Sequence, residues 1–141
     1  MKKIHVFRCM LLTSSMYANI ANADLVVIMS THSQVDSLSS AQVARCFLGK
    51  QACLPSGENA IAVDQPKGDL RDHFYLKFTG KSRAVLASFW AQRVFTGAGK
   101  PPPQLVSAAE VIEFVANTPN AMGYIDRQDI TPQVKVVAST P

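Results

Sequence analysis

The stretch Ile61–Phe78, IAVDQPKGDLRDHFYLKF, sets the frame for the rest of the chain. With Ala60 before it, its start reads as a buried central strand, Ala60–Val63. Pro66-Lys67-Gly68 follows as a turn, and Asp69, Leu70 and Arg71 occupy the first turn of a helix that Gly80 ends after Phe78. A strand running through a tight turn into a helix leaves several backbone N–H groups without carbonyl partners. The helix dipole adds about half a positive charge at the same place. Lys67 and Arg71 flank it, one a mobile point charge and the other a planar guanidinium suited to two oxygens of one oxyanion. The same residues also fit a plain strand-to-helix connection, with Asp69 as cap and two solvated cations.

Upstream, Leu25–Met29 (LVVIM) is a continuous apolar run, short and β-branched enough for a strand buried on both faces. Ser30-Thr31-His32-Ser33 closes it. In open α/β sheets ligands lie outside the carboxyl ends of strands, so these hydroxyls are candidate donors, although such groups often serve their own loop instead. Ser39 or Ser40 caps a helix to about Leu48, stopped by Gly49. Downstream, Ser82 caps a helix on which Val85, Leu86, Phe89, Trp90 and Val94 recur at helical spacing, placing Trp90 in the core. TGAGKPPP at 96–103 breaks it. Ser107 and Glu110 form a capping box for a helix to about Asn117, and strands follow at Met122–Ile125 and Gln133–Ala138. The pattern is one α/β domain without repeats or linkers.

Residues 1–23 read as a secretory signal. Lys2 and Lys3 precede an apolar run over 4–16, and Ala21-Asn22-Ala23 is a small-x-small cleavage site. The run is too short and polar for a membrane span, which needs about 20 apolar residues. Residues 24–141 would then be the working domain, periplasmic or secreted. The formal charge of +4 falls to +1 with the signal removed, which leaves no basic stripe for nucleic acid. Two cysteines remain, Cys46 and Cys53, and in an exported chain a disulfide between them would contribute about 2–3 kcal/mol. Their spacing is not one of the usual metal-ligand spacings, and no cofactor motif is present.

Catalysis finds little support. Asp72 and His73 are adjacent on a helix and point about 100° apart. His32 lies between Thr31 and Ser33 with no motif for a positioned base or an oxyanion hole.

Four segments carry a resemblance: FLGK at 47–50, VDQPKGDLRDHFY at 63–75, FWAQRVFTGAGKPPP at 89–103 and NAMGYID at 120–126. In this order and spacing the chain resembles small exported members of the phosphate ABC-transporter substrate-binding protein family. The resemblance implies a single lobe similar to that of a type 2 periplasmic binding protein, a mixed β-sheet flanked by helices. It implies an exported solute-binding protein for an inorganic oxyanion, phosphate first, with an ABC permease or another periplasmic protein as partner. The alternative is an accessory protein that keeps the one-lobe scaffold and docks a periplasmic or surface protein, and a homodimer would serve the same end. The implied contacts are Ser30, Thr31 and Ser33 after the first strand, with Lys67, Gly68, Asp69, Leu70 and Arg71 where larger members carry a Ser-Gly-Thr turn. Asp69 at that turn would accept a hydrogen bond from monohydrogen phosphate and repel sulfate.

Overall fold

The computed structural model describes residues 24–141; the segment read as a secretory signal lies outside them. Four strands, β1 (Leu25–Ser30), β2 (Ile61–Ala62), β3 (Ala121–Asp126) and β4 (Val134–Ser139), form one sheet in the order β2-β3-β1-β4. β1 runs antiparallel to both its neighbours, and β2 runs parallel to β3. The sheet is mixed and flanked by helices: α1 (Ser40–Phe47), α2 (Asp69–Thr79), α3 (Arg83–Phe95) and α4 (Ala108–Ala116).

The unbroken apolar run of β1 follows from its place in the sheet. Alternate side chains point to opposite faces. Leu25, Val27 and Met29 pack with Val43, Phe47, Phe74 and Trp90 beneath α1, α2 and α3, while Val26 and Ile28 pack with Val111, Ile112 and Val115 of α4. No charge can stand anywhere along such a strand.

Three of the four helices start on a serine that accepts an amide: Ser39 from Gln42, Ser82 from Val85 and Ser107 from Glu110. At α1 the Gln42 side chain closes a full capping box on Ser39 N–H. At α4 the box is displaced by one residue, because the Glu110 carboxylate accepts from Val106 N–H at 3.0 Å. Gly80 ends α2 in the left-handed conformation at φ 72°. Cys46 and Cys53 are joined by a disulfide that ties the end of α1 to the following loop.

Two expectations need correction. The strand before α2 is not central: β2 pairs only with β3, so it is an edge, and Ile61 is exposed. Nor does the apolar stripe of α3 lie wholly in the core. Leu86 and Trp90 are buried, but Val85 and Val94 face outward, because nothing among the described residues forms a layer beyond this helix.

Gly123 is set by the packing of α4 on β3. A Cβ there would stand 2.5 Å from Val111 Cγ1 and 3.3 Å from Val63 Cγ2. Val111 is fully buried and cannot swing aside. Gly123→Ala is therefore expected to cost about 1–3 kcal/mol by overpacking. A thermal melt checks this, and an unchanged midpoint would mean that α4 does not sit this close.

Candidate functional site

The turn that decides the fold also holds the most heavily bonded polar cluster of the molecule. At its centre is Asp64, 1% exposed. Its carboxylate accepts from Arg71 Nε at 3.0 Å, from the Tyr75 hydroxyl at 2.8 Å and from the Gln65 amide at 2.8 Å. The Tyr124 hydroxyl donates to Oδ1, the oxygen that the Gln65 amide also uses, while Arg71 and Tyr75 share Oδ2; the Gln65 side chain donates to the Tyr124 carbonyl. Each donor comes from a different local cause. Arg71 and Tyr75 stand one turn apart on the buried face of α2, while Tyr124 reaches across from β3, the strand beside β2. Phe74 stacks on the Tyr124 ring at 3.9 Å between centroids and fixes its direction. Burial, with the Asp64 charge second, pushes both phenols well above the ordinary value of 10.0.

Arg71 is accordingly not the freely solvated guanidinium read from the sequence. Its Nε is committed to Asp64 and its plane lies 4.9 Å from the Tyr75 ring centre. Its two terminal nitrogens find no acceptor among the described residues, and the side chain as a whole is 9% exposed. A buried carboxylate thus holds the guanidinium in one orientation with two donors left over, the geometry in which Arg recognises a bidentate oxyanion.

The helix start adds to this. Gly68 is the N-cap of α2 and offers no side-chain hydrogen bond, so the first-turn amides lack the serine that serves α1, α3 and α4. Asp69 is the first helical residue, not the cap, and Lys67 is exposed beside it. Asp72, one turn on, is occupied elsewhere. Arg83 binds its carboxylate and holds it below the ordinary range, linking α2 to α3 and leaving no pairing with His73.

The loop after β1 does not join this cluster. Because β1 is antiparallel to β3 and β2 parallel to it, the chain leaves β1 and β2 in opposite directions along the sheet. Met29 stands opposite Met122, whereas the chain after β2 runs past Met122 towards Tyr124. Ideal spacings put the two loops on the order of 10 Å apart along the strands and 10 Å across them. Ser30 is fully buried, and its hydroxyl donates to the Ala116 carbonyl and accepts from His32 N–H. Ser33 accepts from Val35 N–H, which makes it a loop fastener. Ser30 is thus withdrawn from solvent, against its reading as a ligand donor, while Ser33 is part-buried with its hydroxyl engaged in the loop. Thr31 is exposed and lines a hollow of about 500 Å³ with His32, Asn117 and Gln133. His32 and Ser33 border a second, of about 430 Å³, floored by Leu54 and Pro55.

Sequence reasoning missed Asp64, Gln65, Tyr75 and Tyr124. One signal was available: an acid directly after apolar Val63, inside a chain segment otherwise read as buried, requires a cation or hydroxyls nearby.

No protein-family model matches the sequence, and no curated protein does. Solved structures do match in shape. A candidate phosphate ABC transporter substrate-binding protein from Clostridium perfringens, solved with bound phosphate, superposes with a TM-score of 0.63 at 17% identity, covering 81% of this chain and 44% of that one. An ABC-type phosphate transport receptor from Vibrio cholerae gives 0.52 at 13% identity over 81% of this chain and 45% of that one. A proposed phosphate-binding protein from Planctomyces limnophilus gives 0.57 at 11% identity over 81% and 40%. The fold is periplasmic-binding-protein-like. The likeness is one of fold, and this chain spans less than half the length of each of these proteins. No helix among the described residues is long and apolar enough to cross a membrane.

Proposed function

We propose that the protein is an exported solute-binding protein that takes an inorganic oxyanion, phosphate before sulfate, at the first turn of α2, and that it is a binder and not an enzyme. The observation that carries this reading is Arg71, held by buried Asp64 beside an uncapped helix start, with two terminal nitrogens that find no acceptor among the described residues. The similarity in fold to proteins described as phosphate-binding supports it. The working contacts are the amides of Gly68, Asp69 and Leu70 with the side chains of Arg71 and Lys67. Asp69 favours an anion that still carries a proton. Ser30 and Ser33 have no part in it.

One wall of protein leaves the anion largely hydrated, so each hydrogen bond competes with water. Affinity on the order of millimolar is expected for the isolated chain, far from the capture achieved in an enclosed site. Titrating phosphate and sulfate into the protein while following backbone amide resonances tests this. Saturable shifts at Gly68, Asp69 and Leu70 with phosphate, and weaker ones with sulfate, are expected. Their absence at tens of millimolar would overturn the reading.

A second reading, a docking role, is favoured by the outward face of α3, which carries no charge.

A further inference from the structure

The outer side of α3 is unlike a solvated helix surface. Ala84, Ala87, Ser88, Ala91 and Phe95 are exposed along it and none is charged; Phe95, at its end, is 92% exposed. Exposed helix faces ordinarily carry ionic side chains; this one carries none among these positions and ends on an aromatic ring in water. The chain also divides its charge. From Gln65 to Lys100 there are seven Lys and Arg against two Asp, whereas the remainder of residues 24–141 has four against eight carboxylates. Phe95 thus projects from the basic part, close in sequence to exposed Lys100.

The acidic part offers a matching shape. Along the flank of α4, Leu105 and Phe114 floor an open hollow of about 450 Å³, and Glu110 and Glu113 stand on its rim. A partly apolar hollow bearing two carboxylates is complementary in sign to the basic part of the chain that carries Phe95. α3 and α4 lie on opposite faces of the sheet, so a chain cannot close this contact on itself.

We infer that the chain associates head to tail with a second copy of itself, Phe95 and the outer face of α3 docking into the α4 hollow of the next copy, with Lys100 facing Glu113. This inference does not rest on oxyanion binding. Because the donor and acceptor surfaces differ, the contact is heterologous and repeats: it gives a ring if the rotation closes and a filament if it does not.

Sedimentation velocity over a concentration series at low salt tests it on the purified protein. Mass-average size is expected to climb beyond a dimer with concentration and to fall when salt is added. Phe95→Asp is expected to abolish association. Lys100→Glu and Glu113→Lys are each expected to weaken it by about tenfold or more through like-charge contact, while an equimolar mixture of the two regains it, since each presents the face the other needs. Circular dichroism confirms that these surface variants fold. A protein that sediments as single chains throughout overturns the inference, as does a closed dimer indifferent to both charge reversals. Binding of phosphatidylglycerol vesicles through Phe95 without self-association overturns it too.

Discussion

Asp64→Ala is expected to lower the stability of the fold by about 3–5 kcal/mol in urea unfolding, the largest loss of any single polar substitution in this chain. The reason is what the substitution leaves behind more than the contact it removes. Arg71 cannot shed its proton, and it would remain buried in α2 with its Nε facing a void. The hydroxyls of Tyr75 and Tyr124 and the amide of Gln65 would lose their acceptor at the same moment. Each buried donor left unpaired costs about 1–3 kcal/mol, and the core cannot rearrange to serve all of them. Asp64→Asn would do nearly as badly, because its NH2 group would meet a donor wherever it pointed. Removing both charges separates the explanations. Asp64→Leu combined with Arg71→Met is expected to recover only the share owed to the orphaned guanidinium, since the Tyr75 and Tyr124 hydroxyls and the Gln65 amide stay without their acceptor. A loss under about 1 kcal/mol in Asp64→Ala would mean that water reaches Arg71 Nε and the two phenol hydroxyls, and the account of a guanidinium held rigid by its carboxylate would fail with it.

The same cluster marks the boundary of what could be read in advance. Local signals were legible. The LVVIM run announced a strand buried on two faces, Ser39 or Ser40, Ser82 and Ser107 announced three helix starts, and Gly80 announced a stop; all rest on chemistry within a few residues. The turn at 66–68 was legible too, with a helix start at Asp69. Strand direction was not. Whether β1 and β2 run the same way depends on pairing through β3, about a hundred residues after β1 begins, and no local pattern encodes that. Ser30, Thr31 and Ser33 were therefore gathered with Gly68 and Arg71 into one site, which the antiparallel β1 divides. The α3 stripe failed for a related reason. Periodicity shows that Val85 and Val94 could share a buried face, but only the tertiary layers decide how wide that face is. Tyr124 could not be connected to Asp64 at all without knowing that β3 lies beside β2.

Alkaline pH should unfold this protein well before ordinary backbone chemistry intervenes, and the two tyrosines of the cluster are the cause. Tyr75 and Tyr124 are buried and face the Asp64 carboxylate, so ionising either would place a phenolate against a carboxylate in a medium poor in water. Both are held above their ordinary value of 10.0 in the folded chain. In the unfolded chain they titrate normally, and above that pH the unfolded state therefore binds fewer protons than the folded one. Stability then falls as pH rises, by about 1.4 kcal/mol per pH unit for each tyrosine, or roughly 3 kcal/mol per unit for the pair. Below pH 10 neither state ionises them and the effect vanishes. Urea midpoints should be flat in this respect up to about pH 9.5 and drop steeply by about pH 11, with tyrosinate absorbance appearing at the unfolding transition and not before it. Tyr75→Phe removes one ionisation and should halve the alkaline slope while lowering stability at pH 7, because Asp64 loses a donor. If tyrosinate absorbance grew with a midpoint near 10 while the fold stayed intact, the phenols would be in contact with water, and neither they nor Asp64 could be fixing the orientation of Arg71.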